Sequence, residues 1–317
     1  MQPDPPATHE HADPPADGKS RWIDLRDPDE ATLRAALPPG IHETAMDRIL
    51  LPARQEPRPR LESQGTYVFG VLAFPAVSAK GAVVFQEVDV IANLDVLVTI
   101  RKTPVGHTAC EFDDARNAAL RNGSPPGLCL HMVIDEIAER FITMVDGFDE
   151  SIDELEDHVR DWPSTEIRER ISTIRHDILH VRRVLVPTRD AARAVLDVRV
   201  ELDGDVSLFP RDIELRFADA YDKLLRATDG LDLSRDLLAG VRDFHQAEIA
   251  NNQNEVMKRL TVVASVLLLP TFIVGLYGQN FKKIPELAWA QGYAFSWGLI
   301  VVTTALQLWY FRRKRWI

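Results

Sequence analysis

The chain has 317 residues, 45% hydrophobic and 27% charged, and 48 Asp and Glu against 37 Lys and Arg give a formal net charge of −11. An acidic excess of this size repels nucleic acid, which excludes a polyanion-binding role, and it raises the local concentration of cations. Two cysteines, Cys110 and Cys129, exclude a disulfide framework and fit a reducing compartment.

Residues 1–20 carry five prolines and no apolar period, so they read as a disordered tail in which His9, Glu10 and His11 lack a framework for metal binding. The same residues have no basic n-region and no apolar h-region, so no cleaved signal peptide is expected. Residues 21–124 hold short runs rich in Val, Ile and Phe at 22–25, 66–74, 82–92 and 96–100, with turn residues between them. A short helix beginning near Asp29 is broken by Pro38, Pro39 and Gly40. This part is expected to be a small α/β domain.

Residues 125–209 change to helical patterning. Val133, Ile137, Phe141, Val145, Phe148, Ile152 and Leu155 recur at three and four residues, which predicts one helix over 130–159. The turn Asp161-Trp162-Pro163-Ser164 ends it, and a second helix over 165–200, able to bend at Pro187, completes an antiparallel hairpin. Its carboxylates, among them Asp135, Glu139 and Asp149, read as a solvated face that also attracts cations. His107, Cys110, Cys129 and His131 are zinc-type ligands, but they form no pair of Cys-x-x-Cys knuckles. Cys129 and His131, beside a helix start, read more readily as packing or capping residues.

From 211 to 269 there is no proline. A helix from 211 to 254 would reach about 65 Å, so residues 210–259 form a stalk that needs packing partners. The pattern continues without a cap into 260–281, which carries no charge, and a second uncharged stretch covers 287–311. At ~1.5 Å rise per residue, each crosses a hydrocarbon core of about 30 Å. The two transmembrane helices are set at 260–281 and 289–311, joined by an extracytoplasmic loop at 282–288 and followed by a basic tail at 312–317. Lys258, Arg259, Arg312, Arg313, Lys314 and Arg315 flank the spans on one side, against Lys282 and Lys283 on the other, so both termini are expected in the cytoplasm. Eight Lys and Arg against two Glu after residue 254 make that part +6, leaving −17 of the total −11 to residues 1–254.

Steps of three and four residues from Asn254 pass through Met257, Leu260 or Thr261, Ala264, Leu268, Thr271, Gly275 and Gly278. This face begins polar, turns apolar and small, and ends polar. A lipid-facing anchor has no use for such a pattern, although small residues such as Gly275 also serve tight helix packing. Two spans cannot enclose a water-filled path, so conduction requires several copies around an axis.

The string Asn254-Glu255-Val256-Met257-Lys258-Arg259-Leu260-Thr261, the terminus Tyr277-Gly278-Gln279-Asn280-Phe281, the following Pro285-Glu286-Leu287 and the basic tail resemble the CorA family of divalent cation transporters. Upstream, Phe217-Ala218-Asp219-Ala220-Tyr221-Asp222, Ile152-Asp153-Glu154-Leu155-Glu156 and Trp22-Ile23-Asp24-Leu25 extend the likeness over nearly the whole chain. The resemblance implies an α+β fold: an α/β cytoplasmic domain, a long stalk helix and two transmembrane helices, in a homopentamer of the plasma membrane. It also implies passive uptake of Mg²⁺ and Co²⁺. The family's Gly-Met-Asn signature corresponds to Gly278, Gln279 and Asn280, with Gln279 replacing Met. Mg²⁺ sheds its octahedral water shell reluctantly, so neutral oxygens from Asn280 and the Gly278 carbonyl suit a hydrated ion.

Other roles are carried over by the same resemblance. Asn254, Met257 and Leu260 match the inner pore, Thr271 a mid-pore hydroxyl, and Asp243 an acidic ring at the cytoplasmic end. Asp219 and Asp47 match the acids that bind a regulatory cation between neighbouring subunits, so that a high internal level closes the pore. Members that handle Zn²⁺ vary at the Gln279 position, so a Zn²⁺ or other transition-metal transporter of this architecture is the alternative reading. From a different class, a membrane-anchored scaffold or sensor would also use a hairpin anchor and an acidic stalk. No nucleotide-binding loop, nucleophile elbow or metalloprotease helix is present, so no enzyme and no cofactor beyond the cation are expected.

Overall fold

The computed structural model describes residues 21–54, 56–78, 81–104, 113–280, 285 and 289–316. The tail at 1–20, His107, Cys110, Phe281 and most of the loop at 282–288 lie outside the described residues. The chain divides into two units, Met1–Val241 and Arg242–Ile317.

In the first unit, β1 (Arg21–Arg26), β2 (Arg60–Ser63), β3 (Val68–Val77), β4 (Val83–Ala92) and β5 (Val96–Arg101) form one sheet in the order β1-β5-β4-β3-β2. β1 and β5 run parallel, and the other pairs are antiparallel. β3 reads Val-Phe-Gly-Val-Leu-Ala-Phe-Pro-Ala-Val without alternation because both faces of the sheet are covered. On one face, α1 (Glu30–Ala36) and α2 (Glu43–Ile49) bury Leu33, Met46 and Ile49 against Tyr67, Phe69, Ile91 and Val98. On the other, α3 (Asp113–Asn122), α4 (Pro126–Asp157) and α5 (Ser164–Leu196) pack, with Phe141 against Phe85 at a ring separation of 6.3 Å.

α1 starts where Asp29 accepts the Thr32 amide at 2.8 Å, as a cap should. α5 continues through Pro187 as one helix. α6 runs Arg211–Tyr277. Its buried apolar residues in this unit, Ile213, Phe217, Ala220, Leu224, Ala227, Leu231, Leu238 and Val241, alternate steps of four and three, interrupted by Ser234. That seven-residue period holds one seam of α6 against α4. Ser234 takes a polar place in the seam and donates to Asp149 Oδ1 of α4 at 2.6 Å.

β4 and β5 also hold a buried ion cluster. Lys102 Nζ donates to Glu87 Oε1 at 2.8 Å and to the Arg48 carbonyl at 3.3 Å, and lies 2.8 Å from Asp89 Oδ2. At that separation the ammonium holds the buried Asp89 carboxylate by charge. Through the Arg48 carbonyl, the same lysine fastens the C-terminal turn of α2. β2, α2 and α3 escaped the sequence reading because each is short and half-buried, with too few apolar residues to show a period.

In the second unit, α6 ends at Tyr277 and α7 spans Gly292–Arg313. Both helices are long and apolar enough to cross a membrane. Most of their large apolar side chains, Leu267, Leu268, Phe272, Val301 and Val302 among them, are exposed on the single chain.

Candidate ion pathway

Val262 and Ile273 of α6 are only 7% and 6% exposed, and the half-buried Ser265, Leu269 and Pro270 fall on the same stripe. This side packs on α7, where Gln307 Nε2 donates to the Ser265 carbonyl at 3.3 Å. At ~100° per residue, the face through Met257, Leu260, Ala264, Leu268, Thr271 and Gly275 lies roughly opposite. It is open, with Met257 58%, Leu260 60% and Leu268 71% exposed. The hairpin thus uses one side of the first span for its own packing and leaves the polar and small-residue side free.

The chemistry along the open face varies with depth. Asn254, Met257 and Thr261 line a groove of about 630 Å³ with Glu248, Lys258 and Trp316 of the tail. Thr271 Oγ1 donates to the Leu267 carbonyl at 2.7 Å. With its proton turned back onto the helix, that hydroxyl keeps lone pairs to accept a further hydrogen bond. Among the described residues, no side chain lies within 4 Å of where a Gly275 Cβ would sit.

α6 terminates just before Gly278-Gln279-Asn280. The Gly278 amide donates to the Val274 carbonyl at 2.9 Å, and that carbonyl would lie 3.1 Å from a Cβ added at Gly278. A larger residue would press on the last turn. Gln279 and Asn280 follow as exposed, non-helical residues. A helix C-terminus presents partial negative charge, and no basic side chain occupies the last turn of α6. Cations are favoured at this end without a formal carboxylate.

Asp243 lies exposed on α6, paired with its neighbour Arg242 at 2.9 Å. In the first unit, Asp47 is exposed on α2 because Met46 and Ile49 take the two positions facing the sheet. Asp219 is exposed on α6 and lines a groove of about 810 Å³ with His131, Asp135, Arg216, Asp222 and Lys223. Lys223 Nζ lies 2.8 Å from Asp135 Oδ1 and 2.6 Å from Glu139 Oε1, both on α4. Burial works against the charge of Lys223, but its hydrogen bonds to Asp135 and Glu139 prevail and raise its pKa. The sequence reading passed over this lysine, although its four-residue spacing from Asp219 puts both on one face of the helix.

Cys129 and His131 have partners of their own. The Cys129 thiol is buried, which pushes its pKa up to about 12, and it donates to the Ser124 carbonyl at 3.4 Å. The His131 ring packs edge-on to Phe217 with Nε2 3.0 Å from the Arg216 carbonyl, and burial lowers its pKa. Among the described residues, no three His, Cys, Asp or Glu side chains come together to hold a metal ion.

Fold and exposed spans together define a two-span membrane protein with a large α+β soluble unit and a polar face on its first span. The CorA family model, described as CorA-like Mg²⁺ transporter protein, matches residues 17–313, and the chain belongs to that family of divalent cation transporters. The cobalt/magnesium transport protein CorA of Thermotoga maritima is 27% identical over 285 residues, 88% of this chain and 77% of the relative. Among solved structures, the CorA magnesium transporter from Methanocaldococcus jannaschii has a TM-score of 0.74 at 21% identity, covering 93% of this chain and 91% of that one. A full-length CmaX protein has a TM-score of 0.69 at 22% identity, covering 98% and 93%. At these identities the two structures bear out the fold, a soluble α/β unit with a long helix and two spans.

Proposed function

We propose that the chain assembles as a homopentamer in the plasma membrane, both termini cytoplasmic, and conducts Mg²⁺ and Co²⁺ inward along the axis lined by the first span. The observation that carries this is the open face of α6, turned away from the buried stripe at Val262 and Ile273 and bearing Met257, Leu260, Thr271 and Gly275. Uptake needs no chemical step, since an inward-negative potential contributes ~2.3 kcal/mol per charge per 100 mV. Gly278 and Asn280 hold the hydrated ion through neutral oxygens, and weak binding there permits release. Met257 and Leu260 form the constriction, which closes by dewetting. Asp243 gathers cations at the cytoplasmic end.

Closure follows internal cation by mass action. A cation bridging Asp219 of one subunit and Asp47 of its neighbour favours the closed ring, and its loss leaves like charges facing each other.

Cysteine placement tests the assembly. With Cys110 and Cys129 changed to Ser, Leu268→Cys on the open face is expected to cross-link between copies with a short bis-maleimide, giving a ladder that ends at five. Val262→Cys, on the face against α7, is expected to give no such ladder. Equal ladders from both positions, or none from Leu268→Cys, would refute the axial placement.

A further inference from the structure

Asp219 does not face cations alone. The groove it lines carries carboxylates at Asp135, Asp219 and Asp222 and cations at Arg216, Lys223 and Arg226, so its formal charges balance. Glu139, which shares Lys223 with Asp135, brings the neighbourhood to about one net negative charge.

We infer that Lys223 is a positioning residue that sets the divalent-cation affinity at Asp219, by neutralising the α4 carboxylates Asp135 and Glu139 within the same groove. This rests on the regulatory reading of Asp219 above. The ammonium does two things at once. It occupies both α4 carboxylates, so neither is left to recruit a divalent ion within the subunit. It also adds a positive charge one helical turn from Asp219, which repels an arriving cation. Both effects weaken binding. A closing site must be weak in this way if it is to empty when the internal cation level falls, since a site held well below its dissociation constant changes occupancy in proportion to concentration. Lys223 is half-buried between α4 and α6, where its charge is screened less than on an open surface.

The test uses full-length protein and two readouts. One is hydrogen–deuterium exchange of α6 peptides against Mg²⁺ concentration. The other is Mg²⁺ influx into proteoliposomes against luminal Mg²⁺. Lys223→Gln is expected to move both midpoints to lower Mg²⁺ by roughly three- to tenfold, the size a single partly screened charge produces at this range. Glu139→Gln, at an exposed position safe for folding, is expected to move them the other way. The double variant restores the charge and is expected to return near the parent value, and Lys223→Arg to stay there. If Lys223→Gln and Glu139→Gln leave the midpoints in place while Asp219→Asn abolishes the response, the role of Lys223 is overturned and the Asp219 site survives. An intact response in Asp219→Asn overturns both.

Discussion

Gln307 of α7 donates to the backbone carbonyl of Ser265 on α6 at 3.3 Å, joining the buried stripe through Val262 and Ile273 that lies roughly opposite Leu260 and Ala264. It ties the hairpin in one rotational setting, with the polar face outward. Among the described residues, the buried amide oxygen of Gln307 meets no hydrogen-bond partner.

Interhelical bonds of this kind are worth about 0.6–2 kcal/mol in a membrane. Gln307→Leu should therefore lower the thermal midpoint of the detergent-solubilised protein by a few degrees at most, while Mg²⁺ remains the favoured ion. A collapse of expression or a change of ion order would show that Gln307 does more than pack.

The constriction can be opened by chemistry alone. On the proposed pathway, Leu260→Asn places an amide at the constriction, so leak at high internal Mg²⁺ should rise roughly tenfold, equivalent to about 1.4 kcal/mol of lost barrier. Influx into proteoliposomes preloaded with Mg²⁺ measures it. An unchanged leak would place the barrier elsewhere.

At the outer mouth, the two signature side chains should separate. Asn280→Ala removes the neutral acceptor for the ion's water shell and should lower Mg²⁺ influx more than tenfold, about 1.4 kcal/mol or more. Gln279→Met should keep most of the flux, because ion contact is assigned to Asn280 and the Gly278 carbonyl. Loss of flux in the Gln279 variant with retention in the Asn280 variant would reverse the assignment.

Much of this architecture was readable in the sequence because periodicity reports burial directly. The step of three and four from Val133 to Leu155 marked the buried stripe of α4, and the uncharged runs marked the spans. What remained hidden depends on pairs distant in the chain. Nothing near Lys102 announces that it meets Glu87 and Asp89 inside the sheet, or that it fastens α2 behind Asp47. Likewise Lys223 reads as one charge on an acidic helix until α4 brings Asp135 and Glu139 beside it. The face through Met257, Leu260 and Thr271 was legible only as a pattern, and its separation from the α7 contact required the hairpin's geometry.

The buried cluster supplies a pH dependence. Burial raises the Asp89 pKa from 3.8 to about 6, outweighing the opposing charge of Lys102, with Glu87 adding to the rise. Between pH about 4 and 6 the folded protein holds this proton where the unfolded chain has lost it. Its contribution is therefore complete below the unfolded value and lost as pH rises through about 6, amounting to at most about 3 kcal/mol. Chemical unfolding of parent and Asp89→Asn should show the parent's stability, relative to the variant, falling from pH 4 to pH 7. A constant difference would mean that Asp89 is ionised throughout.

Liposome flux of the purified protein with Mg²⁺, Co²⁺ and Zn²⁺ in turn, with and without a proton gradient, tests the central claim most directly. Inward-negative potential should drive Mg²⁺ and Co²⁺ entry, the proton gradient should leave the rates unchanged, and high luminal Mg²⁺ should stop them. Zn²⁺ flux that follows the proton gradient, with little Mg²⁺ entry, would contradict the assignment of the ion, and no flux of any divalent ion would contradict conduction itself.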